Sequence, residues 1–293
     1  MGPACRAGSP YRIDFPSRSP VRQTGPNYFP SLQAVTHFCG IDIGASAAKL
    51  VLIEPDGRIA AKAVRRSGVD YAQTAEDCLL EALEAAGLER ADVAGAFSTG
   101  YGRDNVGWVD GKMTEIACHG RGAYFHLRRA MTIIDIGAQD SKVIHLDREG
   151  HRTGFKMNRK CAAGTGSFLE EIALRLDLPV GELNGLAEAS TKEISLGSFC
   201  TVFAATEILE KIRAGHKVED IVKGAFRSVV KRIAEMDLIQ ADLVMTGGVI
   251  AHNPYLATLV EESFGRPVYV PPEPQFAGAL GAALFAKDNR SSC

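Results

Sequence analysis

The sequence lacks the features that point to a membrane, a secreted protein or a nucleic-acid partner. No apolar run approaches the roughly 18–20 residues that a helix needs to span a bilayer, and no secretory hydrophobic region stands at the start of the chain. A net charge of −2 over 293 residues gives no electrostatic argument for nucleic acid or an anionic membrane. The seven cysteines, an odd number, include no C-x-x-C pair, which argues against a disulfide framework and against a self-contained zinc site. These absences favour a cytoplasmic globular protein.

The remaining composition is ordinary for a globular chain that is long enough to form two cores, with 46% hydrophobic and 23% charged residues. Residues 1–35 differ because they are rich in Pro, Ser and Arg and show little periodicity, which predicts a disordered leader. A targeting peptide is the alternative, but the stretch has no amphipathic helical pattern. We expect lobe one over residues 36–130, lobe two over 131–287 and a tail over 288–293.

The most informative feature is a repeated pattern, D-I-G-A-x-x-x-K. One copy runs from Asp42 to Lys49 and the other from Asp135 to Lys142, each between two apolar runs. A strand, a tight glycine turn and a returning strand would place backbone N–H groups around an anion, with an aspartate beside them. Two such hairpins facing each other could hold the phosphates and the metal of one nucleotide, which predicts a two-lobed ATPase.

The repeated aspartates are the candidate catalytic and metal-binding residues. Proteins usually hold Mg²⁺ with one or two carboxylates plus waters and phosphate oxygens, and Asp42 and Asp135 would supply one carboxylate from each lobe. They could also orient an attacking water. Gln139, in the loop of the second hairpin, is the third candidate because a glutamine there could position water; an ordinary solvated residue is the alternative.

Glycines, a serine and lysines of these segments are assigned to nucleotide binding. A strand predicted over 243–245 ends in a glycine pair that would let a purine and ribose lie on the backbone. For the two lysines, a plain strand-edge role is the alternative to a phosphate contact. The assigned residues are Gly44, Ser46, Lys49, Gly137, Lys142, Gly164, Gly166, Gly247 and Gly248.

Two cysteines precede predicted helices. Cys161 comes before a helix predicted over 167–176, and Cys200 before one predicted over 203–213. The partial positive charge of a helix N-terminus stabilises a thiolate, and hence a metal centre with anionic ligands. Two thiolates fall short of the four that an iron–sulfur cluster usually takes, whereas two chains related by a two-fold axis would supply four. The alternative, which the spacing leaves open, is two small buried residues.

Cys118 and His119 form part of a Cys-His-Gly string that we interpret as a turn. Two adjacent residues make a poor chelate without further partners, so a structural role is favoured over a metal site.

Longer strings establish a family resemblance over residues 38–286. They are T-E-I at 114–116, D-I-G-A-Q-D-S-K at 135–142, K-C-A-A-G-T-G at 160–166, C-T-V-F-A at 200–204 and T-G-G at 246–248. With these strings the chain resembles the BadF/BadG/BcrA/BcrD-type ATPases, which include the activators of 2-hydroxyacyl-CoA dehydratases and the ATPase subunits of benzoyl-CoA reductase. The superfamily also contains acetate kinases, sugar kinases, Hsp70 and actin. The resemblance implies an α/β, two-lobed actin-like (ribonuclease H-like) ATPase fold with the nucleotide in the inter-lobe cleft.

The resemblance also implies a function and its partners. It implies a homodimer or a pair of homologous subunits that holds one 4Fe–4S cluster through Cys161 and Cys200, and that binds ATP or ADP with Mg²⁺. Reduced ferredoxin or flavodoxin would be the electron donor, and an acyl-CoA dehydratase or reductase the acceptor, with no nucleic acid or membrane involved. The alternatives are a sugar or acetate kinase of the same superfamily and a cluster-free regulatory ATPase, neither of which needs the two cysteines.

Overall fold

The computed structural model describes residues 37–197 and 201–291, without the side chains of Thr201, Val202 and Ser291. The predicted leader, the cluster candidate Cys200 and the last two residues lie outside this part of the chain.

The first sheet has five strands in the order β3-β2-β1-β4-β5, where β1 is antiparallel to β2 and parallel to β4. Helix α1 connects β3 to β4, and helix α2 follows β5. The elements are β1 (His37–Ile43), β2 (Ala47–Ile53), β3 (Ile59–Arg66), α1 (Tyr71–Ala86), β4 (Val93–Thr99), β5 (Gly111–Lys112) and α2 (Glu115–Leu127). Helix α1 begins at the N-cap Asp70, whose carboxylate accepts from the backbone N–H of Gln73, and ends at Gly87 in the left-handed conformation.

The second sheet repeats this topology, with the order β10-β9-β6-β7-β8, β6 antiparallel to β7 and β6 parallel to β9. Its strands are interleaved with a larger set of helices. The elements are β6 (Met131–Ile136), β7 (Ser141–Leu146), β8 (Arg152–Asn158), α3 (Gly166–Arg175), α4 (Leu183–Ala189), α5 (Thr201–Arg213), α6 (Val218–Ala234), β9 (Asp242–Thr246), α7 (Gly248–His252), α8 (Tyr255–Phe264), β10 (Val268–Tyr269) and α9 (Ala277–Ser291).

Strand alternation turns both repeated aspartates toward the same helical layer. In β1, Ile41 and Ile43 enter the core formed with α1, so Asp42 points to the opposite face, where α9 packs. In β6, Ile134 and Ile136 enter the core formed with α3 and α6. Asp135 therefore shares the other face with Ile133, which packs against α2.

Helices α2 and α9 form the layer between the two sheets, and they pack on each other at two glycines. A Cβ on Gly122 would overlap the carbonyl oxygen of Ala277, and a Cβ on Gly281 would overlap that of Cys118. Only glycine permits so close a backbone approach. Because α9 packs mainly on the first sheet, it crosses the lobe boundary expected at residue 130, and that division remains a prediction.

The predicted elements α3, α5 and β9 and both hairpins are confirmed within a few residues. The interpretation of Cys118 and His119 as a turn is wrong, because both lie inside α2. Gly120 suggested a turn, but α2 continues through it, and close packing against α9 selects a second glycine at position 122 despite the low helix propensity of glycine. Among the described helices, none is long and apolar enough to cross a membrane.

Candidate nucleotide and metal site

Each repeated aspartate lies near the end of its strand, opposite a lysine on one side and a threonine on the other. Asp42 pairs in register with Lys49 and Thr99. Asp135 pairs in the same way with Lys142 and Thr246. Asp42 and Asp135 are only 4% and 1% exposed, so the ionisation of their carboxylates depends on what surrounds them.

A Thr-Gly pair follows the parallel neighbour strand in both lobes. Gly100 has φ +86° and Gly247 has φ +102°, values that favour glycine. A Cβ on Gly247 would lie 2.7 Å from Asp135 Oδ1, and one on Gly100 would overlap Asp42 Oδ1. Gly247 was assigned to nucleotide binding from the sequence and Gly100 was not, although the dipeptide Thr99-Gly100 repeats Thr246-Gly247.

The glycine turns of the two hairpins are also equivalent. The N–H of Gly44 donates to the carbonyl of Ala47 at 3.1 Å, and the N–H of Gly137 donates to that of Asp140 at 2.9 Å. Ser46 and Gln139 lie exposed on the respective loops, where a ligand has access to them. Their assigned roles remain predictions.

The second hairpin contains its own buried cation. Lys142 is only 1% exposed, and its Nζ lies 2.8 Å from Glu115, 3.1 Å from Asp135 and 2.8 Å from Asp140. Burial opposes its charge, but the three carboxylates outweigh that effect and raise the pKa of Lys142. With three acceptors already engaged, the ammonium has its three donors satisfied. The phosphate contact assigned to Lys142 therefore remains only a prediction.

The groups around Asp135 stabilise the ionised form of its carboxyl. Burial alone would raise its pKa, but His119 and Lys142, together with hydrogen bonds from Lys142 and Thr246, lower the pKa to about 2. The hydroxyl of Thr246 lies 3.0 Å from Oδ1, while Lys142 contacts Oδ2.

Asp42 has the opposite environment. Burial raises its pKa, and the more distant positive charge of Lys49 only partly offsets this effect. Among the described residues, its Oδ1 has no hydrogen-bond partner. Nζ of Lys49 lies 3.5 Å from where a Cβ on Gly44 would stand, so this lysine sits against the hairpin loop instead of on a carboxylate.

These observations test whether Mg²⁺ fits the site. A buried carboxylate oxygen without a partner is a suitable ligand for a hard cation, and Asp42 supplies it. Glu115, His119 and Asp135 also bring possible ligand atoms within 4.8 Å of one another, but the ammonium of Lys142 already contacts both of these carboxylates. The residues fit a metal at Asp42 better than at Asp135, and metal ligation by either aspartate remains a prediction.

Glu115 and His119 lie near the aspartates, and neither was assigned a role from the sequence. Both lie on the cleft side of α2, which was not predicted as a helix. The signal available was Thr114, which caps α2 by accepting a hydrogen bond from the N–H of Ala117, followed by an acidic residue in the first turn.

Gly164 and Gly166 connect the loop that contains Cys161, here called the cysteine loop, to the second hairpin. The N–H of Gly166 donates to the carbonyl of Gly137 at 2.9 Å, and the hydroxyl of Ser141 donates to the carbonyl of Gly164. These contacts give both glycines a structural part in the hairpin, and their assignment to nucleotide binding remains a prediction. Gly248, by contrast, borders open space, which leaves room for a ligand.

Cys161 lies in the loop between β8 and α3, with a free and exposed thiol. Helix α3 begins at Gly166 with its N-cap at Thr165, one residue before the predicted start, so Cys161 lies four residues before the cap. Asn158 fixes the loop by donating through Nδ2 to the carbonyls of Cys161 and Ala163 at 3.0 and 2.9 Å. An exposed free thiol in a fixed loop fits a shared cluster, while Cys200 lies outside the described residues.

Two sheets of identical topology, each presenting an aspartate and a glycine hairpin to a shared pair of helices, have the actin-like ATPase fold. Residues 39–286 match the model of the BadF/BadG/BcrA/BcrD ATPase family, and the chain belongs to this family of ATPases.

Three relatives illustrate the similarity. The (R)-2-hydroxyglutaryl-CoA dehydratase activating ATPase of Acidaminococcus fermentans is 41% identical over 251 residues, which cover 84% of this chain and 95% of that protein. One of the benzoyl-CoA reductase subunits of Thauera aromatica is 31% identical, with 86% and 93% covered. The solved structure of the activator of the 2-hydroxyisocaproyl-CoA dehydratase from Clostridium difficile with bound ADPNP superimposes with a TM-score of 0.82 at 38% identity, with 87% and 96% covered.

Proposed function

We propose that the chain is an ATP-dependent electron-transfer activator, which delivers low-potential electrons to a 2-hydroxyacyl-CoA dehydratase or a benzoyl-CoA reductase-type partner. The relatives' names support this role, and the greater identity to a dehydratase activating ATPase favours the dehydratase. In the proposed setting, a cytoplasmic ferredoxin or flavodoxin is the donor.

The observation that carries the proposal is the connection between the hairpin and the cysteine loop. The carbonyls of Gly137 and Ala138, in the second hairpin, accept from the N–H groups of Gly166 and Ser167 at 2.9 and 2.7 Å. The segment 161–167 thus links the thiol of Cys161 to the loop that would meet phosphate. A shift of the hairpin on nucleotide binding would be passed to this segment, because contacts that differ between two states are what allow a ligand to shift their equilibrium.

For hydrolysis, the chain's residues have separate tasks. Asp42 would hold Mg²⁺ through its unpartnered oxygen, Lys49 would contact a phosphate, and Asp135, kept ionised by Lys142, would orient groups around the metal. Both Asp42→Asn and Asp135→Asn are then expected to lose most Mg²⁺-dependent turnover.

For electron transfer, Cys161 and Cys200 from each of two protomers would supply the four thiolates of one 4Fe–4S cluster. When bound, the cluster supplies one-electron transfer. Such a cluster belongs to the dimer interface, so losing it also weakens the dimer.

The test is the iron content of the anaerobically purified protein. We expect about four iron atoms per dimer in the wild type, and none in Cys161→Ala, while Asp42→Asn keeps its iron. Cys78→Ala is the matched control, because Cys78 is buried in the core with α1; its iron content is expected to be unchanged. A wild type that binds no iron after anaerobic reconstitution would identify the chain as a cluster-free ATPase or kinase of the same fold.

A further inference from the structure

His119 is buried between the two repeated aspartates. It is only 3% exposed and projects from α2 toward the second sheet. Its Nδ1 lies 3.3 Å from Thr246 Oγ1 and 3.3 Å from Asp135 Oδ1, and its Nε2 lies 4.0 Å from Glu115 Oε1.

The contacts at Nδ1 define the tautomer of the neutral ring. Thr246 donates its hydroxyl hydrogen to Asp135, so only oxygen lone pairs face Nδ1 from both of these residues. Nδ1 therefore carries a hydrogen in the neutral ring as well as in the cation, and in the neutral ring Nε2 has an acceptor lone pair. A carboxylate that fixes a histidine tautomer in this way leaves the other ring nitrogen available to a ligand or a water.

Nε2 and the carboxylate of Asp42 border the same small volume. A Cβ placed on Gly278 would lie 3.0 Å from Asp42 Oδ2 and 3.0 Å from His119 Nε2. Gly122 of α2 contacts Ala277 of α9, and Gly281 of α9 contacts Cys118 of α2, so a pseudo-two-fold axis relates the two helices. Under this operation Gly278, which follows Ala277, is equivalent to His119, which follows Cys118. Gly278 leaves room beside His119, and the imidazole of His119 lies between Asp42 and Asp135.

We propose that His119 is a positioning residue for ATP hydrolysis, whose Nε2 accepts a hydrogen bond from the attacking water while Thr246 and Asp135 fix the ring through Nδ1. This inference rests on the proposed ATPase site. The water oxygen bonds to the γ-phosphorus, and the bond from that phosphorus to the oxygen bridging to the β-phosphate breaks. ADP leaves, one proton of the water remains on the released phosphate and the other passes to solvent. The imidazole orients the water and undergoes no net change.

Two amide variants separate the two ring nitrogens. The amide nitrogen of an asparagine stands as many bonds from Cα as Nδ1, so H119N keeps a donor for Thr246 and Asp135 but loses the group at Nε2. The amide of a glutamine reaches the position of Nε2, so H119Q keeps an acceptor there. If His119 acts only through Nδ1, H119N should retain more turnover than H119Q. If Nε2 holds the water as proposed, H119Q should retain more.

The experiment measures kcat and KM for Mg²⁺-ATP, the Kd for ADPNP by calorimetry, and thermal unfolding, all on the anaerobic full-length protein. We expect kcat of H119N to fall about 10- to 100-fold, with the Kd for ADPNP within about threefold of the wild type, and H119Q to retain more turnover than H119N. His145→Asn is the matched control, since His145 also contacts a threonine and an aspartate, at 3.1 Å and 3.2 Å, but in the second lobe away from Asp42; its kcat should be unchanged.

Wild-type turnover in H119N, or turnover in H119Q no better than in H119N, would overturn the proposal. A wild type that binds ADPNP but hydrolyses no ATP would instead overturn the proposed function. If H119N does not fold, the comparison of H119Q with the wild type decides: loss of all turnover in folded H119Q contradicts the role of Nε2.

Discussion

The two hairpins share their sequence pattern, strand register and glycine geometry, yet they differ in charge. In the second, Lys142 contacts three carboxylates and Asp135 is held ionised. In the first, burial raises the pKa of Asp42, and its Oδ1 has no hydrogen-bond partner within the described ranges. A repeated backbone therefore supports two different chemical environments.

The difference arises from one helix and one loop residue, since Asp140 of the second hairpin stands where the first hairpin has Ala47. Glu115 and His119, both on α2, turn toward Lys142 and Asp135, whereas the position equivalent to His119 on α9 is Gly278. In the second hairpin, the positive charge of Lys142 compensates the carboxylate of Asp135. The first leaves a carboxylate whose charge a bound cation can compensate, which is the property that a nucleotide site with Mg²⁺ requires.

The largest expected effect comes from removing the internal cation. Lys142→Met leaves Asp135, Asp140 and Glu115 without their shared partner, and breaking a buried ion cluster in this way costs about 3–5 kcal/mol. Lys49→Met, at the equivalent register position, should cost under about 1 kcal/mol because Lys49 makes no close ion pair among the described residues. Urea unfolding of both variants measures the difference, and equal losses would show that the hairpins are electrostatically alike.

The next prediction concerns the crossing of α2 and α9, where the helix layer between the two sheets is most closely packed. Gly281→Ala should lower the free energy of unfolding by about 1–3 kcal/mol, because the added methyl overlaps the carbonyl of Cys118. Gly122→Ala should behave alike if the crossing is symmetric. Gly185→Ala, in α4 with nothing near the new methyl, is the control, and is expected to be stabilising by about 0.5–1 kcal/mol.

The pH dependence gives the smallest effect. Because the folded state raises the pKa of Asp42 above 3.8, the folded protein binds that proton more tightly than the unfolded chain does. This contribution to stability is full below pH 3.8 and is lost as the pH rises through the folded pKa. The stability difference between the wild type and Asp42→Asn should therefore shrink as the pH falls from 7 toward 4, as chemical unfolding at several pH values can measure. A difference that stays constant would contradict the raised pKa.

The hairpins were predictable because their signals are local: an aspartate, a glycine and two apolar runs within a few residues. Helix α2 was not, because the reason for Gly122 is contact with Ala277, far away in the sequence. With α2 missed, Glu115 and His119 could not be assigned. The charge asymmetry was only partly visible in the sequence pattern, because Asp140 in place of Ala47 is a local difference, whereas Glu115 and His119 are brought to the second hairpin by the fold.

The measurement that tests the asymmetry most directly is the unfolding free energy of Asp42→Asn and Asp135→Asn at pH 7 without nucleotide or metal. Asp42→Asn removes a buried charge whose Oδ1 has no hydrogen-bond partner among the described residues, so it should raise the stability of the protein. Asp135→Asn removes a charge that Lys142, Thr246 and His119 stabilise, so it should lower the stability by about 1–3 kcal/mol. Changes of opposite sign are the expected result, and two changes of the same sign would contradict the account.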